Sequence, residues 1–339
     1  MTAPDNNCAI AISGCGVAGG CGCGSNALLT ALRRGDSAAA AMDFHHPDGA
    51  APLLAQRAGS DELARFVNRR ALRRIDHFSR LALLAGLLAL EDAAVAADQR
   101  VTTGVIVASG YGATTTTLNF LDSVIDGGDG CASPTAFSNS LHNVAAAYLS
   151  MHAGVTGPNL TVSQFELSFA AALATAITWL RSRRCDTVLV GGVDEHNFMR
   201  DYCHGRYGGA AVVPGEGAAF FVLRRAVADA DLLVDMPRFS TQPLPPSAAA
   251  TAVIVGSDGC GRRAELDGCA LPQCHCTPCY GVMPVGQAFD LAAALLMLRH
   301  GALYCCPATA APPEALSCIQ NSATGEWAAI DIYRGDSHA

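Results

Sequence analysis

The sequence predicts an α/β protein in which helices cover buried sheets. Short apolar runs that end in glycines alternate with longer segments whose apolar residues recur at helical spacing. Only 15% of the residues are charged and 50% are hydrophobic, as expected for sheets covered on both faces or for large subunit contacts. A chain of 339 residues is also long enough to bury a large core.

The first 225 residues contain most of this alternation. We predict buried strands over residues 8–17, 103–112, 160–166, 185–195 and 215–225. We predict helices over residues 25–34, 75–97, 114–128 and 168–183, and a proline-containing loop that leads into a helix of small residues over 133–153. The glycines that end the run CAIAISGCGV are interpreted as a tight turn after the first strand.

The composition changes at residues 226–250, which are first acidic and then rich in proline and serine. We therefore predict two parts, residues 1–225 and a shorter part, 226–339. The second part has a strand and glycine turn in TAVIVGSDGCG, a helix in FDLAAALLMLRHG and a last strand in GEWAAIDIYR. TAVIVGSDGCG is similar to CAIAISGCGV and TGVIVASGYG, which indicates two related halves.

Charge and hydropathy exclude several classes of protein. The net charge is −8 and no basic stripe is present, so we expect no nucleic-acid partner. No uncharged apolar run reaches about 18 residues, so we expect no membrane span. The sequence starts MTAPDNN, without the basic and apolar regions of a secretory signal, and we expect a cytoplasmic protein.

The fifteen cysteines are an odd number, which argues against a disulfide framework and favours small buried side chains. One group has a spacing that could hold a zinc ion: Cys269, Cys274, Cys276 and Cys279, with His275 among them. These ligands are crowded into eleven residues without a distant second pair. We therefore favour a cysteine-rich loop and expect no bound metal.

Four segments in order resemble the ketoacyl synthases of fatty-acid and polyketide assembly, which share the thiolase fold. They are RRIDHFSRLALLAG, VASGYGATTTTLNF, FSNSLHNVAAAYLSMHAGVTGPNLTVS and LVGGVDE followed by PGEGAAFFVL. The resemblance spans most of residues 8–225 and weakens after 226. It implies a layered αβαβα arrangement built from two pseudo-duplicated halves.

The resemblance also locates three positions that carry catalysis in that family. GP-x-LTVS leads there to a nucleophilic cysteine, and Glu166 stands at that place here. The first catalytic histidine corresponds to Asp258 in SDGCGR, where Gly259 and Gly261 keep the turn, and the second corresponds to Val282 in YGVMPVGQAF. A carboxylate attacks thioesters poorly, an ionised Asp258 would repel developing negative charge, and Val282 offers no hydrogen-bond donor.

Glu166 has two interpretations. The one we favour is structural, because a negative charge at a helix N-terminus is stabilising by about 0.3–1 kcal/mol. In the other, its carboxylate mimics a malonyl group and assists decarboxylation by a partner. The resemblance implies Gln at this position in the non-condensing partner subunits of the family, whereas here the glutamine is Gln164, two residues earlier.

The implied function is that of a chain length factor of a two-component type II polyketide synthase. Such a subunit pairs with an active ketosynthase, works with acyl carrier protein through the complex, completes the acyl tunnel and limits product length. The phrase SPTAFSNSLHNVAAAYL resembles systems that make polyenes, including aryl polyenes. No cofactor is implied. The residues expected at the tunnel or interface are Thr117, Phe120, Leu121, Phe137, Gln164 and Phe165.

Two alternatives belong to other classes of function. One is an acyl-thioester enzyme, condensing or hydrolytic, that uses Glu166 as base or Ser168 as nucleophile. Since the sequence puts no histidine beside Ser168, this reading requires His142 or His204 to approach it in space. His142 and His152 are otherwise expected to be interface or core residues. The second alternative is a zinc-binding regulatory module.

Overall fold

The computed structural model describes residues 8–36, 40–41, 54–197, 199, 213–227, 230–258, 263–266, 268–306 and 311–335. The helices are α1 (Ser25–Arg34), α2 (Arg69–Leu72), α3 (His77–Asp92), α4 (Ala97–Arg100), α5 (Thr114–Gly127), α6 (Pro134–Asn139), α7 (Val144–Ala153), α8 (Ser168–Arg181) and α9 (Gly286–His300). Short 3-10 turns lie at Asp61–Arg65, Asp129–Cys131, Phe165–Leu167 and Thr277–Cys279.

The strands are β1 (Ile10–Gly19), β2 (Gly22–Cys23), β3 (Ala40–Ala41), β4 (Leu54–Ala55), β5 (Gly104–Ala108), β6 (Asn159–Val162), β7 (Thr187–Asp194), β8 (Gly217–Arg225), β9 (Leu232–Val234), β10 (Arg238–Ser240), β11 (Ala252–Val255), β12 (Gln273–Cys274), β13 (Ala315–Asn321) and β14 (Trp327–Arg334). The alternation of strands and helices confirms the α/β prediction.

Twelve of the described strands form one mixed sheet. Its order is β12-β11-β13-β14-β9-β1-β8-β7-β5-β6, while β2 pairs with β1, and β10 pairs with β14. The pairs β5–β6, β5–β7, β11–β12 and β11–β13 are parallel. β9 joins the two parts of the sheet by pairing with β1 on one side and β14 on the other. The division into residues 1–225 and 226–339 stays a prediction.

The glycines of the first strand have a different role from the predicted turn. β1 continues through Gly19, and Gly14 and Gly16 lie inside it against α3. A Cβ atom at Gly16 would stand 2.1 Å from the Ala85 carbonyl oxygen of α3. These glycines therefore allow a helix to approach the strand closely.

α3 is shorter than the predicted helix over residues 75–97. It begins where the Asp76 carboxylate accepts a hydrogen bond from the Ser79 backbone N–H, at 3.0 Å. It ends because Ala94 adopts a left-handed φ of 48°. Most of its side chains are buried, so its stability comes from packing on the sheet.

The predicted strand over 160–166 is β6 followed by a 3-10 turn. Phe165 has a φ of 47°, which turns the chain out of the extended conformation. The Ser168 hydroxyl fixes this turn, since it accepts from the Gln164 backbone N–H at 2.7 Å and lies 2.7 Å from the Phe165 carbonyl oxygen.

Helices pack on both faces of the sheet, but unevenly. A central core contains α1, α8 and α9 against one face of strands from both parts of the chain. A second core packs α3 and α7 on the opposite face of β1, β5, β7 and β8. The opposite face of the remaining strands carries a small group that we call the outer cluster: Val253, Val255, Ala264, Ile319, Trp327 and Ala329. Throughout the described residues, every helix is too short or too polar to cross a bilayer.

Candidate functional site

Glu166 lies in the 3-10 turn that leads into α8, and its side chain is buried, with the residue 5% exposed. The preceding Phe165 has the left-handed backbone noted above. Such strained residues are frequent at functional turns because the surrounding structure must hold them. The turn therefore presents position 166 at a fixed place at the beginning of a buried helix.

Gln320, on β13, connects this turn to the second predicted position. Its side-chain amide nitrogen lies 3.2 Å from the Glu166 carbonyl oxygen and 3.3 Å from the Pro284 carbonyl oxygen. Pro284 follows Val282 by two residues, and Gln320 is fully buried. Sequence reasoning missed Gln320, since a polar residue in a strand gives no signal of its partners.

Asp258 lies near the same end of the sheet. The Gly256 backbone N–H donates to the Ile319 carbonyl oxygen at 2.8 Å, which sets the end of β11 beside Gln320. Asp258 is 2% exposed and lines a cleft of about 940 Å³. The other residues that line it are Arg263, Ala264, Glu265, Leu266, Gln273, His275, Asn321, Ser322, Ala323, Gly325 and Trp327. Gly259 and Gly261 lie outside the described residues.

Val282 is 5% exposed and pairs through its backbone with Val213 and Gly215. The segments that carry Glu166, Asp258 and Val282 thus meet around Gln320. At these three positions the chain offers two carboxyl groups and one aliphatic side chain, and neither a thiol nor an imidazole.

Asp194 holds the loops around this region together. Its Oδ1 accepts from the Ser109 hydroxyl at 2.8 Å and from the Gly110 backbone N–H at 3.0 Å. Its Oδ2 accepts from the Val285 backbone N–H at 3.0 Å. One buried carboxylate therefore ties the ends of β5 and β7 to the beginning of α9. The phrase GGVDE was recognised in the sequence, but not this role for its aspartate.

Ser168 is unsuited to act as a nucleophile. Its hydroxyl is bound to the backbone of Gln164 and Phe165 and lies 3.0 Å from the Ser109 carbonyl oxygen, and within the described chain it bonds to no histidine. His142 is exposed and lies against Gly112, and the His152 ring stacks on Tyr148. His204 lies outside the described residues.

A second group of buried ionisable residues lies at the N-termini of α3 and α5. Glu216 accepts from Arg57 Nε at 2.8 Å and pairs with His77 Nε2 at 3.1 Å. Burial would raise the pKa of Glu216, but His77 and Arg57 outweigh it and lower that pKa to about 2. Glu195 accepts from the Thr115 backbone N–H at 2.6 Å, and its burial raises its pKa to about 7. Sequence reasoning missed this group as well.

Beyond Gln164 and Glu166, several large apolar side chains are exposed on β6 and on nearby elements. β6 is the last strand of the sheet, and no described strand pairs with its far edge. We define the β6 face by its exposed large apolar residues: Tyr111, Leu121, Ile125, Phe137, Leu141, Met151, Leu160 and Phe165. α5 contacts α6, and α7 contacts β6. The Tyr148 hydroxyl of α7 donates to Asn139 Oδ1 of α6 at 3.0 Å, which links the two pairs.

The β6 face includes or adjoins the residues predicted for the tunnel or interface. Phe120 and Phe137 pack with ring centroids 5.4 Å apart, and Tyr111 and Phe165 with centroids 5.6 Å apart. Phe137 and Phe165 are 53% and 59% exposed, so in this chain they are not core residues. Leu121 is 45% exposed, Phe120 and Thr117 are half-buried, and Gln164 is exposed.

The structure does not assemble the four cysteines considered as zinc ligands. Cys274, Cys276 and Cys279 lie close to Cys305, whereas Cys269 packs against the outer cluster. Among the residues that the structure describes, no group of three or more His, Cys, Asp or Glu side chains has an arrangement that could hold a metal ion. Cys269 is separated because it packs on the opposite face of the sheet from the other three.

Solved structures with the same fold are numerous. The ishigamide ketosynthase/chain length factor superposes with a TM-score of 0.72 at 17% identity, covering 96% of this chain and 99% of that one. A β-ketoacyl synthase from Burkholderia phymatum STM815 superposes with a TM-score of 0.77 at 16% identity, and the alignment covers the same shares of the two chains. The third structure is AntDE:AntF, a type II PKS acyl-carrier protein in complex with its ketosynthase bound to the hexaketide. It superposes with a TM-score of 0.75 at 14% identity, covering 96% of this chain and 99% of that one.

These similarities confirm the predicted thiolase-like layered fold. No curated protein sequence matches the chain. The family model for the β-ketoacyl synthase N-terminal domain matches residues 8–228, which is more than half of the sequence. With its fold and its match over this length, the chain belongs to the β-ketoacyl synthase family.

Proposed function

We propose that the chain is a non-condensing subunit that pairs with an active ketosynthase through the β6 face and acts as its chain length factor. The observation that carries the proposal is the combination of Glu166 at the helix entry with an exposed apolar surface beside it. A family member without a nucleophilic thiol has a role in assembly if it presents a surface for a partner.

The chemistry at the three positions argues against condensation by this chain alone. Acyl transfer in this family requires a thiolate, which is a good nucleophile near neutral pH and forms a thioester. Glu166 supplies a carboxylate instead, and its turn is held by a hydrogen bond from the Gln164 N–H to the Ser168 hydroxyl and by one from the Gln320 side-chain amide to the Glu166 carbonyl oxygen. Asp258 and Val282 donate no hydrogen bond to an oxyanion when the aspartate is ionised.

The β6 face supports pairing in two ways. Its far edge has backbone groups that no described strand satisfies, and such an edge readily pairs with a strand of another chain. Its exposed side chains include three aromatic rings and Ile125, and clusters of exposed large apolar side chains mark interaction sites. An obligate partner would cover more than about 2,000 Å² in total.

The tunnel role rests on Phe120 and Phe137, whose rings pack together at this face. We infer that they close the end of an acyl tunnel shared with the partner and so limit chain length. The likeness to a ketosynthase/chain length factor and to a ketosynthase complex with acyl-carrier protein supports this setting. The polyene subtype is proposed from the sequence phrase 133–149 alone. The division at residue 225 into two family-like halves is part of the same proposal.

Co-expression with a cysteine-bearing ketosynthase from a neighbouring gene tests the pairing. We expect a 1:1 complex by size-exclusion chromatography, and loss of it with Ile125→Asp, because this charge replaces a 77% exposed side chain on the β6 face. Val227→Asp is the matched control, since Val227 is 76% exposed but not part of that face.

A stable monomer that does not bind the ketosynthase, or a complex that survives Ile125→Asp as well as Val227→Asp, contradicts the pairing. Hydrolysis of an acyl thioester by the isolated chain, abolished by Glu166→Gln, would instead support the enzymatic alternative. The hydrogen bonds of Ser168 give that alternative no support from this residue.

A further inference from the structure

Two segments that flank α9 bring three thiols together at a distance from Glu166 and the β6 face. The Thr277–Cys279 turn and the adjoining Cys276 precede the helix, and Cys305 follows it. The His275 backbone N–H donates to the Cys305 carbonyl oxygen at 3.0 Å, which holds the two segments side by side. Cys279 Sγ lies 3.5 Å from Cys305 Sγ.

The two sulfurs have different access to solvent. Cys279 is completely buried, and its thiol also lies 3.5 Å from the Ala31 carbonyl oxygen of α1. Cys305 is half-buried and has a φ of 54°, which L-residues rarely adopt. A small oxidant in solvent therefore has better access to the Cys305 sulfur than to the Cys279 sulfur.

The hydrogen bonds among these thiols make them chemically unequal. Donation from Cys276 and Cys279 lowers the pKa of Cys305 to about 4, against the opposing effect of burial. Donation to Cys305 and burial raise the pKa of Cys279. Among these thiols, Cys305 is therefore the one that its neighbours favour as a thiolate, the form that reacts with peroxides.

We propose that Cys305 and Cys279 form a peroxide-sensitive dithiol site that closes into an intrachain disulfide. The Cys305 thiolate attacks one oxygen of hydrogen peroxide, so an S–O bond forms, the O–O bond breaks and hydroxide leaves, taking a proton to become water. Cys279 then attacks the Cys305 sulfur, an S–S bond forms, and the sulfenic oxygen leaves as water with the Cys279 proton. The two sulfurs lose two electrons, and the peroxide is reduced to two water molecules.

Closure requires a short movement, because a disulfide has sulfurs about 2.05 Å apart and these two are already in contact. The bond would join the segment before α9 to the segment after it. Val282 lies three residues beyond Cys279, so oxidation would fix the segment that carries one of the three family positions. This inference does not depend on the proposed pairing.

Titration of the full-length chain with hydrogen peroxide tests the site, in a Cys131→Ser background that removes the thiol that is exposed among the described cysteines. Remaining thiols are alkylated under denaturing conditions, and peptides are mapped by mass spectrometry. We expect a Cys279–Cys305 crosslink to be the first product, at about one equivalent of peroxide, reversed by dithiothreitol. In Cys279→Ser the crosslink should disappear, and a dimedone probe should label Cys305 as sulfenic acid.

The buried Cys318→Ser variant is the matched control and should keep the crosslink. A Cys276–Cys305 crosslink would overturn the assignment of Cys279 as the second thiol. Cys305 that remains a free thiol while other cysteines are oxidised would overturn the site altogether. Because the mapping is made first on the chain with both cysteines, neither result depends on whether Cys279→Ser folds.

Discussion

The half of the sheet that contains β5–β8 carries helices on both faces, whereas among the described residues the half that contains β11–β14 has a helix on one face only. In the first half, α3 and α7 cover one face and α8 the other. In the second half, α9 covers the inner face, and the outer cluster is covered by loop residues such as Leu244, Leu266 and Leu271.

In the half that contains β11–β14, side-chain hydrogen bonds on the outer face hold loop segments to the sheet. Arg238 Nε donates to Asp331 at 3.0 Å, and the Ser317 hydroxyl donates to the same carboxylate. The Ser317 hydroxyl also accepts from the Ser247 backbone N–H at 2.9 Å, which holds the proline-rich loop on the sheet. Side-chain hydrogen bonds thus hold the proline-rich loop over a face that, among the described residues, no helix covers.

The largest expected effect comes from making the same truncation in both halves. Leu84→Ala empties a fully buried position in α3 and should lower the free energy of unfolding by roughly 2–5 kcal/mol. Leu266→Ala, at a half-buried position beside the outer cluster, should cost about 1 kcal/mol or less. Urea unfolding followed by circular dichroism measures both. Equal losses of unfolding free energy in the two variants would contradict the view that the two halves of the sheet are covered to different extents.

The pH dependence of stability should locate a second difference in the better-covered half. The pKa of Glu195 is about 7 in the folded protein, whereas that of glutamic acid in the unfolded chain is near 4.5. Between these values the folded state binds more protons, so this residue reduces stability as the pH rises, by on the order of 3 kcal/mol at pH 8.

Glu195→Gln keeps an oxygen for the Thr115 N–H and removes the charge. The variant should therefore be more stable than the parent at pH 8, and the advantage should vanish near pH 4.5. Glu62→Gln, on the exposed Asp61–Arg65 turn, is the control and should leave the profile unchanged. A Glu195→Gln advantage that is the same at pH 4.5 and pH 8 would rule out ionisation as its cause.

Truncation of Phe137 should change stability least, but it should change the length of the product. Phe137→Ala removes a ring that is 53% exposed, so it should cost only about 1 kcal/mol and leave the complex intact. If Phe137 and Phe120 close the tunnel, the reconstituted pair should release longer polyketides, measured by mass spectrometry. Met151→Ala, which is 66% exposed on α7, serves as control. Unchanged length from folded variants at Thr117, Phe120, Leu121 and Phe137 would place the limit in the partner.

Periodicity and glycine placement were sufficient for most strands and helices, because those patterns are local. α1 has the predicted bounds, and β8 lies within its predicted strand. Errors arose where tertiary contacts decide the conformation. The glycines of β1 serve the close approach of α3, and the left-handed Phe165 ends β6 early.

The candidate site was predicted only as positions along the chain. The resemblance supplied Glu166, Asp258 and Val282, but Gln320 and Asp194, which join their segments, depend on contacts between residues far apart in sequence. Local spacing likewise grouped Cys269 with three cysteines that lie on the other face of the sheet, and it left out Cys305. The expectation that no metal is bound stays a prediction.

In the proposed function this chain supplies surface and tunnel to a ketosynthase and does not carry the acyl group itself. The most direct test incubates the co-purified pair with an acyl-loaded carrier protein and measures the intact mass of each chain. We expect an acyl adduct on the cysteine-bearing partner and an unchanged mass for this chain, since Glu166 stands at the nucleophile position. A stable acyl adduct on this chain, lost in Glu166→Gln and retained in Glu62→Gln, would contradict it.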